Sequence, residues 1–522
     1  MQNINLIKKY IKNKRYGDAE KIINKLMLED KNNYQYYLLL GYIHIKNNNI
    51  NDAIKNYQHA KKLNLNDTVL NTLSKLYVRV NNYDQALTEL SESLKINNKN
   101  PITMNNYGCL LISKKRESES IKYFQNSIKL DSNYMDPKYN LLEILDKTSN
   151  IKLFEETIKK ERKNFPHDSI LKYFNGVYLS LIKNWNDAYK ILESISFKKH
   201  NQNWEYKRLN LIGSIYHEIK NYKQSFINHS NANNFLINNY CLDTFKNNSY
   251  YNKLKKFLTF VENNKEKKIK KNNQKSSMIF IVGFPRSGTT LLDTILSSHS
   301  KIKVLEEKPL IQNTINEISD SEKINCKNID NKLQKKYLSY LSKYIDTKSI
   351  SNKIIIDKMP LNLVYARLIN KIFPDAIIIF CLRHPLDTIL SCYFQNFILN
   401  EAMVNFLDLN RTAKIFNLTM ELFNSYKEIP SDKILNLKYE NIVTNFDHEL
   451  ELVCKFIGIK KELSMKEFYK FNTNNERVVR TASYNQVNKP IYTSSKFKWL
   501  NYKDELKPVI PIVEKWINYY KY

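Results

Sequence analysis

A spacing repeated along the first half of the chain limits its fold more than any other feature. Gly41, Ala53, Tyr57 and Ala60 stand at offsets 0, 12, 16 and 19, and the same offsets recur at Ser74, Ala86, Leu90 and Ser93, then at Gly108, Ser120, Phe124 and Ser127. Successive sets are 33 or 34 residues apart. Gly176 with Ala188, and Gly213 with Ser225, His229 and Ala232, continue parts of the pattern, whereas residues 133–170 fit it less well. A fixed step of this length means one supersecondary unit stacked on copies of itself. Small residues are needed where two helices cross closely, and the large residue at offset 16 fills the groove between them. Between the two small positions lie polar turns, such as Asn-Asn-Asn-Ile-Asn-Asp and Lys-Asn-Trp-Asn-Asp, each with a capping residue just before the second helix.

These residues resemble tetratricopeptide repeats, over about residues 5–240 and five or six units. The resemblance implies an α-helical solenoid as the first domain, residues 1–240. Its concave face would recruit a protein, shape an acceptor cleft or serve homodimerisation. A helical linker, residues 241–275, is expected next, running into the charged stretch NNKEKKIKKNNQKSS as a solvated connection. From residue 276 to 522 the period changes. The short apolar runs MIFIV (278–282), KIIID (353–357), AIIIFCL (376–382) and KILNL (433–437) alternate with helical segments, which predicts a central parallel sheet covered by helices on both faces.

Composition excludes several function classes. With 522 residues, 42% of them hydrophobic and 26% charged, the chain is neither a small disulfide scaffold nor disordered throughout. The balance of 82 Lys+Arg against 52 Asp+Glu, a net charge of +30, would suit nucleic acid, but the positive residues are nearly all scattered lysines. No arginine-rich stripe is present, so no nucleic-acid partner is expected. The six cysteines (Cys109, Cys241, Cys326, Cys381, Cys392, Cys454) have no metal-ligand spacing and read as reduced core thiols. The start of the sequence lacks an apolar signal region and no run reaches about 20 apolar residues, so a cytoplasmic protein without a membrane span is expected.

The chemistry starts at the end of the first strand. Gly283-Phe284-Pro285-Arg286-Ser287-Gly288-Thr289-Thr290 leads from strand to helix, and such a turn collects backbone N–H groups on a positive dipole end, ready for an anion. The Gly283–Gly288 spacing imitates a nucleoside-triphosphate loop, and Asp357 could pass for a metal-holding acid, but Thr289 stands where that loop needs Lys. Removing the ammonium takes away the main point charge for the β- and γ-phosphates. A kinase or ATPase is therefore the weaker reading.

The segment PRSGTTLL resembles the 5′-phosphosulfate loop of sulfotransferases, which transfer a sulfuryl group from 3′-phosphoadenylyl sulfate (PAPS) to an acceptor. Arg383, at the end of AIIIFCL, and Ser391, eight residues on, resemble that family's 3′-phosphate motif. A guanidinium can grip phosphate in two-pronged fashion while the hydroxyl closes the site. Closer still is the likeness to protein-tyrosine sulfotransferases and to bacterial sulfotransferases with N-terminal tetratricopeptide repeats, over about residues 278–505. Glu306-Glu307 matches the tyrosine enzymes' Glu pair, Lys358-Met359-Pro360 their Lys-x-Pro, Lys438-Tyr439-Glu440 their nucleotide-contacting Tyr-Glu, and Ser483–Pro490 with Lys498-Trp499 their nucleotide-covering loop.

The resemblance implies an α/β P-loop-like sulfotransferase domain with Glu307 as general base and Lys358 and Ser483 stabilising the bridging oxygen. Pro285, Arg286, Ser287, Gly288, Thr289 and Thr290 would cradle the 5′ end. Arg383, Ser391, Tyr439 and Lys498 would hold the 3′-phosphate and its surroundings. PAPS would be the co-substrate, adenosine 3′,5′-bisphosphate the product, and no metal is expected. The acceptor would carry a hydroxyl, on a protein (tyrosine included), on a carbohydrate or on a lipid. His384 and, less well, His299 are rival bases, since other sulfotransferases use histidine, and Glu306 reads as a solvated neighbour. Gln395 departs from the tyrosine enzymes, which have an extra Arg there. The region of Thr314 lacks their acidic-peptide-binding Arg, and their disulfide cysteines are missing. An inactive sulfotransferase-like scaffold is the alternative.

Overall fold

The computed structural model describes every residue except 1, 115, 149, 198–201, 264–277, 317, 319–330, 346–352, 428, 471–489 and 494. Two compact units divide the chain, Met1–Ile182 and Lys183–Tyr522.

In the first unit, α1 (Gln2–Lys12) and α2 (Tyr16–Glu29), α3 (Tyr34–Lys46) and α4 (Ile50–Leu63), α5 (Asp67–Arg79) and α6 (Tyr83–Ile96), α7 (Pro101–Ser113) and α8 (Glu117–Leu130), and α9 (Asp136–Lys147) and α10 (Ile151–Asn164) pack as successive pairs, followed by α11 (Ser169–Leu181). The abundant asparagines find a structural use. Side chains of Asn33, Asn66, Asn82, Asn100 and Asn150 each accept a backbone N–H in the first turn of the helix that follows. The offset of 16 proves to be a direct contact: a Cβ on Gly41 would lie 2.6 Å from the Tyr57 ring, and one on Gly108 2.6 Å from the Phe124 ring.

The stretch that fits the repeat poorly by residue type keeps its register. Leu142, Phe154, Ile158 and Glu161 occupy offsets 0, 12, 16 and 19, and all four are buried. Here large side chains replace small ones, and Glu161 is paired with the equally buried Lys138, at 3% and 1% side-chain exposure. Breaking such a pair from one side leaves an uncompensated buried charge. Lys138→Met is therefore expected to destabilise the first unit by about 3–5 kcal/mol in urea unfolding of the full chain, whereas Lys138→Met with Glu161→Met recovers most of that loss.

In the second unit, α12 (Trp185–Glu193) precedes the pair α13 (Gln202–Glu218) and α14 (Tyr222–Leu236), where a Cβ on Gly213 would lie 2.8 Å from His229. This pair is built into the sheet domain. His217 Nδ1 lies 2.7 Å from the Tyr502 hydroxyl, which donates to Ser225 Oγ at 3.0 Å; Asn233 donates to the Tyr393 carbonyl at 2.9 Å, and His229 stacks on Phe394. After α15 (Leu242–Asn247), α16 (Ser249–Asn263) places Leu254, Phe257 and Val261 in the core beneath the sheet. The stretch expected as a linker thus contributes to that core, while the lysine-rich run after Asn263 lies outside the described residues.

Five parallel strands, β1 (Met278–Gly283), β2 (Ile302–Glu306), β3 (Ile354–Lys358), β4 (Ile377–Leu382) and β5 (Ile434–Lys438), lie in the order β2-β3-β1-β4-β5. Alternation along β1 feeds two cores. Phe280 and Val282 face the one that includes α16 and the helix Leu409–Ser425, and Ile279 and Ile281 face the one built on Leu292, Ile295 and Leu296 of α17 (Thr289–Ser297). Among the described residues no helix is long and apolar enough to cross a membrane. Cys241, Cys381, Cys392 and Cys454 are buried thiols as expected, but Cys109 is exposed, with its Sγ accepting the Asn140 amide N–H at 3.3 Å; Cys326 lies outside the described residues.

Candidate functional site

All five strands end on the same side, and β1 lies between β3 and β4, so its loop opens where the chain's connections diverge to opposite sides of the sheet. That loop is shaped by close approach and by backbone strain. A Cβ on Gly283 would meet Ser287 Oγ at 2.6 Å and the Cys381 carbonyl at 2.7 Å. Gly288, with φ +96°, opens α17 and leaves no room for a Cβ beside the Tyr439 ring, 2.8 Å away. Arg286 adopts φ +72° and Glu307 φ +48°, conformations that cost about 1–3 kcal/mol each for a non-glycine residue and cluster at functional sites.

The residues expected around phosphate come together. Arg286 Nε donates to Ser391 Oγ at 3.0 Å. Arg383 donates from Nη1 to the Arg286 carbonyl at 3.2 Å and from Nη2 to the Ser495 carbonyl at 2.6 Å, with its guanidinium 4.8 Å from the centre of the Tyr439 ring. Burial pushes the Arg286 guanidinium down to about 10, and the nearby Arg383 charge acts in the same direction. Burial likewise holds the Lys498 ammonium below its usual range, opposed by Glu218. Ser287 Oγ and Arg383 Nε are buried without a hydrogen-bond partner among the described residues. Converging cations and orphaned donors at a helix start fit an anionic group.

Across the sheet, Lys358 at the end of β3 has no exposed side-chain surface and meets three carboxylates: Glu307 at 2.9 Å, Asp293 at 3.6 Å and Glu306 at 3.7 Å. The Glu307 side chain is 40% exposed and Glu306 only 7%. The expectation of a solvated Glu306 is thus corrected: as the last residue of β2 it is directed to the Lys358 ammonium. The Glu307 N–H donates to the Lys358 carbonyl at 2.8 Å, extending the β2–β3 ladder into the site. Desolvation opposes charge on Lys358, but the surrounding carboxylates, Asp293 foremost, hold its proton above the usual lysine range.

The rival bases are engaged elsewhere. His384 stacks on Trp499 at 4.9 Å, its Nδ1 accepts the Leu386 N–H at 3.3 Å, and burial pushes it down to about 4. His299 lies beyond α17, with Nε2 3.0 Å from the Lys460 carbonyl and Nδ1 accepting the Lys301 N–H. Pro285 and Thr289–Thr290 are buried in the cradle, and Ser483 lies outside the described residues.

Asp387, Cys392 and Asp293 were missed in the sequence, and Glu440 was read only through its likeness to a nucleotide-contacting Tyr-Glu. Asp387 accepts the N–H groups of Phe497 and Trp499 at 2.7 and 2.9 Å, fixing the segment that bears Lys498; Glu440 accepts the His384 N–H at 2.9 Å. Cys392 donates to the Pro285 carbonyl at 3.2 Å, and Asp293 contacts Lys358. An acid or a cysteine within a helix carries no local signal when its partner lies on a distant segment of the chain.

Comparison with known proteins finds different families in the two halves of the chain. Residues 278–462 match the model of the sulfotransferase family, residues 103–134 that of the tetratricopeptide repeat, and residues 12–93 that of anaphase-promoting complex, cyclosome, subunit 3. An uncharacterised protein of Aquifex aeolicus (strain VF5) is 31% identical over 45% of this chain and 32% of its own length. Protein-tyrosine sulfotransferase A of Caenorhabditis elegans is 23% identical over 44% of this chain and 62% of its own. The matches therefore span less than two thirds of either relative. The sulfotransferase domain of the Synechococcus PCC 7002 olefin synthase aligns over 48% of this chain and 98% of its own, at 18% identity and TM-score 0.34. The chain thus has tetratricopeptide repeats at its N-terminus and, at its C-terminus, a five-stranded parallel domain of the sulfotransferase type.

Proposed function

We propose that the protein is a sulfotransferase that moves the sulfuryl group of PAPS to an acceptor hydroxyl. The observation that carries this reading is the meeting, at the strand ends of one sheet, of a paired-arginine anion cradle with a half-exposed carboxylate bound to a buried ammonium. The donors fit a phosphosulfate: Arg286–Thr290 with the start of α17 would hold the 5′ end, and Arg383, Ser391, Tyr439 and Lys498 the 3′-phosphate. That nucleotide supplies an activated sulfuryl group.

Glu307 is the carboxylate that a hydroxyl can reach. It takes the acceptor proton as the new O–S bond forms and the bond from sulfur to the phosphate oxygen breaks, releasing adenosine 3′,5′-bisphosphate. Negative charge grows on that bridging oxygen, where the Lys358 ammonium and, in our assignment, the Ser483 hydroxyl are stabilising. The acceptor is a protein hydroxyl, tyrosine included, or a carbohydrate, and the repeats recruit a protein acceptor or a second copy of the chain.

Equilibrium binding separates this reading from its rivals. Adenosine 3′,5′-bisphosphate is expected to bind tightly in the absence of Mg²⁺ and ATP weakly. A preference for ATP with Mg²⁺ would turn the assignment to phosphoryl transfer, and failure to bind either would point to an inactive scaffold.

A further inference from the structure

Behind the Glu307–Lys358 pair lies a carboxylate to which the roles above give nothing to do. Asp293 is on the second turn of α17, the helix whose first turn forms the anion cradle, and its side chain is 1% exposed. Its Oδ2 is 3.6 Å from Lys358 Nζ, and its Oδ1 accepts the Ser297 hydroxyl at 3.0 Å. Lys358 is thereby tied to the cradle helix as well as to the β2 end.

The chemistry makes this tie consequential. When Glu307 accepts a proton it becomes neutral, and Lys358 loses the charge of its nearest partner at 2.9 Å. A fully buried lysine without a counter-charge can fall by up to about 3–5 pH units, which would discharge the ammonium when the bridging oxygen needs it. Glu306 also faces Lys358, but Asp293 is held by the Ser297 hydroxyl, which its own carbonyl shares at 2.7 Å, and by a rigid helical mount.

We propose that Asp293 is a positioning residue that keeps Lys358 protonated and directed at the bridging oxygen while Glu307 changes charge, an inference that rests on the sulfotransferase reading. Among the described residues, the titratable groups facing Lys358 are Glu306 and Glu307 at the end of β2, Asp293 on α17, Asp357 beside it on β3 and Cys381 on β4.

The test uses the full chain with ε-¹³C-lysine, following the Lys358 resonance against pH in parallel with sulfuryl transfer and adenosine 3′,5′-bisphosphate binding. In Asp293→Asn the Lys358 titration is expected to fall by about one pH unit or more, with the alkaline limb of kcat moving down alongside it. Turnover on that alkaline limb should drop by up to about tenfold while nucleotide affinity is retained, and Asp293→Glu should restore the limb in part. Should Asp293→Asn not fold, Asp293→Glu and Ser297→Ala carry the same readout, with smaller shifts in the same direction. An unmoved Lys358 titration and unmoved alkaline limb overturn the positioning role. A coupled Lys358 in a wild-type protein that transfers no sulfuryl group overturns the sulfotransferase reading instead.

Discussion

Glu307→Gln is expected to lower turnover by about 10²–10⁴ while leaving adenosine 3′,5′-bisphosphate affinity in place. The amide keeps the shape of the side chain and still offers an oxygen to Lys358, whose ammonium lies 2.9 Å from Glu307 Oε1. What it loses is the capacity to take a proton from a hydroxyl. Glu306 cannot substitute, because its side chain is 7% exposed and directed to the same ammonium. Turnover and nucleotide binding measured on one preparation check the prediction. Unchanged turnover would move the role to His384, which would first have to leave its stack on Trp499 and release the Leu386 N–H.

Arg383→Ala is expected to weaken adenosine 3′,5′-bisphosphate binding by about 2–5 kcal/mol, roughly thirtyfold to several thousandfold, as truncating one partner of a buried charge pair does. Arg383 does two things at once. Its Nε has no hydrogen-bond partner among the described residues and is left for the proposed phosphate, and its two other nitrogens tie the Arg286 carbonyl to the Ser495 carbonyl, joining loop to covering segment. Arg383→Lys keeps the charge but neither the two-pronged geometry nor the planar stack on Tyr439, so it should recover little. Calorimetric titration of the three proteins measures this. Wild-type affinity in Arg383→Ala would place the 3′-phosphate elsewhere.

The helical array was legible because its signal is steric. A glycine sixteen residues before an aromatic leaves a visible imprint when a Cβ would sit 2.6 Å from the ring. The pair α9–α10 escaped the same reading because its register is maintained by leucine, phenylalanine and a buried ion pair, which no small-residue pattern reveals. The strands β1, β3, β4 and β5 announced themselves as apolar runs. The strand β2 did not, since the exposed Lys303 breaks its short apolar run, yet it delivers the two glutamates. In the site, the motifs carried over from the sulfotransferase resemblance name Arg286, Ser391, Arg383 and Tyr439, which the fold brings together. The acids that hold them, Asp293, Asp387 and Glu440, act on partners far along the chain, and the fold alone brings those pairs together.

The central claim is that this site moves a sulfuryl group and that Glu307 takes the acceptor proton. Incubation of the purified full chain and its Glu307→Gln variant with ³⁵S-labelled PAPS and fractionated extract of the source organism tests both halves together. Covalent label is expected in at least one fraction with the wild-type protein and about a hundredfold less with the variant. Equal labelling by the two proteins, or none by the wild type in any fraction, would contradict it.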